Sequence, residues 1–240
     1  MEKKQELYRG KAKTVYATDD PTLLVMHYRD DVSAFDGAKL AKLELKGETN
    51  NKINAYVMGK LAAAGVATHF LRVLNERESL VKAMKMVPIE CVVRNVCAGS
   101  MAKRYGIEEG KRLPEPIFEF FLKSDPLHDP LVNDDHIRVL GWASVDEIAQ
   151  MKALTHKVNA VLKPLFANAG IDLVDYKLEF GHPKSEPHGP LVLGDEFTPD
   201  GCRLWDHSTH DKMDKDRFRR DLGNVIEKYR EVAQRIGAPM

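Results

Sequence analysis

The chain has 240 residues, with 36 Lys plus Arg against 36 Asp plus Glu, so its formal net charge is zero and a duplex nucleic-acid binder, which needs a basic excess, is disfavoured. A hydrophobic share of 43% is enough to offset ordering entropy and excludes intrinsic disorder. No run approaches the ~18 uninterrupted apolar residues of a membrane span, and Cys91, Cys97 and Cys202 are too few for a disulfide framework, so a reduced, cytoplasmic protein is expected.

Short strands are expected first, at Glu6–Tyr8, Thr14–Ala17 and Leu23–Tyr28, separated by Arg9-Gly10 and Asp19-Asp20-Pro21. Connections this short favour antiparallel hairpins. From Thr49 to Ala64 the apolar residues recur at helical spacing, and Gly65 supplies a stop. Strands follow at Thr68–Val73, Leu80–Met86 and Ile89–Val96, with Lys85-Met86-Val87-Pro88 as a connector where Pro88 interrupts. Ser144 and Glu147 have capping-box spacing and open a long helix that Pro164 is expected to kink or end. Strands at Ile171–Phe180, Leu191–Glu196 and Cys202–Trp205 precede one amphipathic helix from Asp214 to Ile236. The order of elements gives an α+β fold, with an antiparallel N-terminal lobe over residues 1–86 and a larger mixed lobe over 87–240. The cleft between them is the expected ligand site.

Three segments carry candidate chemistry. Gly10, Lys11 and Lys13 lie between two strands, where ammonium groups and free backbone N–H suit polyphosphate; a solvated strand face is the plainer reading. In Leu173–Gly181, alternation places Asp175, Lys177 and Glu179 on one face and Val174, Tyr176, Leu178 and Phe180 on the other. The strand ending at Asp195 can bring a second carboxylate beside Glu179, and Mg²⁺ with phosphate oxygens is the usual way to relieve that repulsion. Arg94 sits in an apolar strand and needs an anion: Glu90 on the same face, or a bound carboxylate or phosphate assisted by Ser100.

Pro88–Ser100 and Leu173–Gly181 resemble the two signature segments of the SAICAR synthetase (phosphoribosylaminoimidazole-succinocarboxamide synthase) family. Tyr8–Lys13, Asp31–Asp36, Lys123–Asp125 with Asp129-Pro130, and Gly194–Asp206 are similar to it too, in order and nearly end to end. The resemblance implies a two-lobed ATP-grasp or kinase-like architecture and ATP-dependent, Mg²⁺-dependent joining of carboxyaminoimidazole ribonucleotide (CAIR) to L-aspartate. It assigns Gly10, Lys11 and Lys13 to phosphates, the Lys85-Met86 backbone to adenine, and Glu179 and Asp195 to Mg²⁺. Arg94, Ser100 and Arg203 would hold the ribonucleotide phosphate, and the Ser33–Asp36 loop would close over it. Lys123, Asp129, Asp175 and Lys177 would be further site residues, and a homodimer is common in such proteins. Only His182–Pro190 departs from the pattern, by a few extra residues expected to lengthen a loop. The histidines, His182, His188, His207 and His210 among them, match no zinc spacing and are expected on the surface or in loops.

Two other classes compete: a small-molecule kinase that halts after phosphoryl transfer, and a non-catalytic nucleotide sensor. The chain has neither a His-Arg-Asp nor an Asp-Phe-Gly segment, which disfavours protein kinase activity.

Overall fold

The computed structural model describes residues 2–35 and 37–239. Hairpins dominate its N-terminal part, as the short connections imply. Strands β1 (Glu6–Arg9), β2 (Lys13–Ala17) and β3 (Leu23–Tyr28) run antiparallel, and β4 (Asp31–Ala34) with β5 (Lys39–Lys42) forms a separate ribbon. After helix α1 (Lys46–Ala63), β6 (Phe70–Asn75) and β7 (Glu78–Lys82) complete a five-stranded sheet in the order β1-β2-β3-β7-β6.

The second sheet holds β8 (Met84–Val96), β9 (Arg112–Leu122), β10 (Leu131–Val132), β11 (Ile171–Pro183) and β12 (Val192–Gly194), in the order β10-β9-β8-β11-β12. Strand β13 (Cys202–Asp206) also pairs with β11. Helices α2 (Gly99–Tyr105), α3 (Asp134–Val139), α4 (Val145–Asn168), α5 (Asp216–Arg219) and α6 (Val225–Ile236) lie between or after these strands. The main core packs Ile53, Val57 and Leu61 of α1 and Met151, Leu162 and Phe166 of α4 against Tyr176, Leu178 and Phe180 of β11. Burying each such side chain contributes roughly 1.5–3 kcal/mol. All three cysteines are buried free thiols. Among the described residues, no helix is long and apolar enough to cross a membrane.

Several local expectations are corrected. Lys85 and Met86 are not a connector: β8 runs unbroken, pairing Lys85 with His182 and Met86 with Gly181. Pro88 is accommodated because the register shifts on the facing strand between Glu179 and Gly181, where a missing donor does no harm. Helix α4 passes through Pro164. Pro164 and Ala160 are both exposed, so water can take the freed carbonyl while buried Leu162 and Phe166 hold the helix down. The C-terminal helix breaks into α5 and α6, because Asp221, Gly223 and Asn224 all adopt left-handed backbone angles. Leu222, in this break, is therefore exposed, whereas Phe218, Val225, Tyr229 and Val232 are buried. The His182–Pro190 segment is clasped to the start of α4: His182 contacts the Gly189 carbonyl at 2.7 Å and Glu147 at 2.9 Å.

Candidate active site

Strand β11 supplies the centre of the site. With Tyr176, Leu178 and Phe180 committed to the core, alternation turns Asp175, Lys177 and Glu179 to the opposite face. Antiparallel pairing of Glu179 with Gly194 then delivers Asp195 beside Glu179. Lys177 Nζ lies 2.5 Å from Glu179 Oε1, 2.8 Å from Glu90 and 3.6 Å from Asp195. Lys123 also pairs with Glu179, and Lys13, from the other sheet, pairs with Asp195 and with Glu196 at 3.0 Å. Burial alone would raise the Asp195 carboxyl, but Lys13, Lys177 and Lys123 outweigh it and hold it far below the usual range. Burial would likewise lower Lys177, yet Glu179, Asp195 and Glu90 push it well up. Lys177 therefore stays charged. The carboxylates that repel on paper are compensated here by ammonium groups.

The Asp175 end of the strand is built from guanidinium groups. Arg94 is 3% exposed; it donates to Glu119 at 2.6 Å, to Asp175 at 3.0 Å and to Ser100 Oγ at 3.1 Å. Of the two anions open to Arg94, Glu90 does not pair with it, because four residues along one strand separate them by ~13 Å. Register instead puts Arg94 opposite Asp175, and Glu90 turns to Lys177. Arg203 donates to Asp175 at 2.9 Å and to Asp216 at 2.9 Å. Its guanidinium lies against Gly99, whose φ of +56° and lack of a side chain make the approach possible: a Cβ there would sit within 2.6 Å of both Arg203 terminal nitrogens.

The remaining residues sit around these two clusters. Lys11, in the turn between β1 and β2, reaches Asp125 in the segment after β9 at 3.0 Å. Gly10 closes the β1–β2 turn, its N–H donating to the Lys13 carbonyl at 2.9 Å, and its own carbonyl accepts from Arg29 at 2.7 Å. Asp129 accepts from the Ser124 N–H at 2.8 Å, next to Lys123, and its charge adds to the upward push that burial gives Glu90. Lys85 is exposed and Met86 half-buried on β8. Ser33 is buried in the β4–β5 ribbon and, among the described residues, joins neither cluster. That ribbon reaches the arginine side through Lys39, which donates to the Phe218 carbonyl at 2.7 Å and to Asp221 at 2.6 Å. Asp36 lies outside the described residues.

Glu119, Glu196 and Asp216 belong to the site and were not singled out from the sequence. Glu196 was signalled by its place beside Asp195; Glu119 and Asp216 become visible only once the register of β9 and the break after α5 are known. Among the described residues, no three His, Cys, Asp or Glu side chains form a metal-binding group. Two hard carboxylates, Glu179 and Asp195, suit an ion that completes its shell with phosphate oxygens and water, which is how Mg²⁺ is usually held.

The family model for SAICAR synthetase matches residues 6–236. The chain belongs to that family. The phosphoribosylaminoimidazole-succinocarboxamide synthase of Alteromonas mediterranea is 62% identical over 99% of both chains. In structure, this chain is similar to the phosphoribosylaminoimidazole-succinocarboxamide synthase of Ehrlichia chaffeensis, with TM-score 0.96 and 45% identity over 98% of this chain and all of that one. It is also similar to a SAICAR synthetase solved in complex with ADP, with TM-score 0.93 and 44% identity over 98% of this chain and 100% of the other.

Proposed function

We propose that this chain joins CAIR to L-aspartate, consuming ATP and releasing ADP and phosphate. The observation that carries the proposal is the pair of ion clusters side by side on β11 in a member of this family. The relative solved with ADP supports nucleotide use. In this reading the boundary near residue 86 separates two lobes of an ATP-grasp or kinase-like architecture. Gly10, Lys11 and Lys13 face the phosphates, and the Lys85-Met86 backbone meets adenine. Glu179 and Asp195 would hold Mg²⁺, which would neutralise phosphate charge when bound. Arg94, Ser100 and Arg203 grip the ribonucleotide phosphate, with Ser33 and Asp36 in the loop that covers it. The subunits pair as a homodimer.

A carboxylate does not react with an amine at neutral pH, since its oxygen is a poor leaving group. Transfer of the ATP γ-phosphoryl group to the CAIR carboxylate gives an acyl phosphate; the amine of aspartate then attacks the acyl carbon and phosphate leaves. Phosphoryl transfer asks chiefly for positioning and charge neutralisation, which Lys13, Lys123 and Lys177 provide. Asp175 has both oxygens engaged by arginines, which leaves Asp129, half-buried beside an exposed loop, to take the proton of the attacking amine. Closure of the lobes keeps water from the acyl phosphate.

A coupled assay of ADP release tests this function. Release should require CAIR and L-aspartate together. Release with CAIR alone would indicate a kinase, and none under any combination would indicate a sensor.

A further inference from the structure

Residues 193–197 are held tightly in place. The Leu193 N–H donates to the Ala67 carbonyl at 3.0 Å, the His69 N–H to the Leu193 carbonyl at 2.8 Å, and the Phe197 N–H to Asn54 Oδ1 at 2.9 Å. Between these anchors Asp195 adopts φ +56°, a left-handed angle that a residue with a side chain takes at a cost of roughly 1–2 kcal/mol. In extended backbone, consecutive side chains point to opposite faces. The left-handed turn at Asp195 instead lets two consecutive carboxylates converge on one ammonium group, that of Lys13. Strain held at one residue and spent on converging charges marks a place where geometry matters.

The two carboxylates are not equivalent. Asp195 is shared with Lys177 at 3.6 Å and is the one assigned to the metal. Glu196 is the less exposed, at 11% of its side chain, and its Oε1 lies 3.0 Å from Lys13. Its Oε2 is buried with no hydrogen-bond partner among the described residues. A buried carboxylate with one oxygen unpartnered leans on the cation it pairs with, here Lys13, and that cation is thereby fixed.

We propose that Glu196 is the positioning residue for Lys13, holding the ammonium group at the phosphate side of the cleft while Asp195 serves the metal. The inference rests on the reading that Lys13 meets nucleotide phosphates. ADP and adenosine, titrated calorimetrically into the metal-free enzyme in the presence of a chelator, separate the two ideas. Glu196→Gln, which keeps shape but removes the charge, should weaken ADP binding about five- to tenfold and leave adenosine binding unchanged. In turnover it should raise the KM for ATP and leave the KM for L-aspartate as it was. Lys13→Met should weaken ADP more, and Glu196→Gln should then add nothing. Unchanged ADP affinity in Glu196→Gln, or equal losses for ADP and adenosine, would overturn the positioning role. A folded Lys13→Met that binds ADP normally would overturn the reading of Lys13 itself. Should Lys13→Met fail to fold, the contrast between ADP and adenosine in Glu196→Gln still decides the matter.

Discussion

At its Glu179 end, β11 meets the ammonium groups of Lys123 and Lys177; at its Asp175 end it meets the guanidinium groups of Arg94 and Arg203. The first set comes from separate elements, and Lys13, pairing with the neighbouring Asp195, crosses over from the other sheet. A point-like ammonium on a flexible stem can exchange a carboxylate for a phosphate oxygen with little change of shape. The second set is more rigid. Planar forks bind Glu119, Asp175 and Asp216 in fixed directions, and Arg94 and its two carboxylate partners are almost wholly buried. One strand thus carries a compliant cluster and a preorganised one, suited to a group that is transferred and a group that is only held.

That contrast can be broken by substitution. Arg94→Met would leave Glu119 and Asp175 buried with less compensation and should cost about 3–5 kcal/mol in urea unfolding. Wild-type stability would show that the arginine cluster is not a committed network. On the compliant side, Asp195→Asn should lower turnover by about 10²-fold or more while the melting temperature stays nearly unchanged, since Glu196 still holds Lys13. Wild-type-like activity in both Asp195→Asn and Glu179→Gln would remove the metal assignment.

Gly99→Ala probes the preorganised cluster more gently. A methyl group at φ +56° costs roughly 1–2 kcal/mol and pushes on Arg203, so the KM for the ribonucleotide should rise while the KM for ATP does not. An unaltered ribonucleotide KM would detach Arg203 from that substrate.

A pH-dependent effect is expected at Asp214, which accepts from the backbone N–H groups of Leu204 and Asp216 behind Arg203. Burial, followed by repulsion from Asp216, pushes its carboxyl from 3.8 up to about 7. The native state therefore holds the proton more tightly than the unfolded chain, and the associated stability is lost as pH rises from 3.8 through about 7. Relative to Asp214→Asn, the wild type should lose stability between about pH 5 and pH 7, by at most ~1.4 kcal/mol per unit. Parallel stability curves for the two proteins would contradict this.

Much of this was legible in the sequence because it depends on period. The first three strands, the capping box at Ser144 and the division of β11 into a core face and a polar face follow from alternation, turn residues and cap spacing. What stayed hidden depends on register and context. Strand β9 carries Pro114 and Pro116 and reads poorly as a strand; the structure places both prolines where the pairing with β8 shifts. Which cation meets which carboxylate is a cross-strand matter, so Glu90 stood as one of two candidate partners for Arg94 although it meets Lys177, and Glu119 was not seen. The helix break after Arg219 depends on left-handed residues that composition alone does not announce.

Asp175 and Glu179 stand four positions apart on a continuous strand with hydrogen-bonded neighbours on both sides. Their spacing, ~13 Å of pleated backbone, is therefore a built-in ruler that rocking of the smaller sheet cannot stretch. An inhibitor spanning both ends could be made from one stiff spacer of fixed length, with compliance needed only where it meets Lys13.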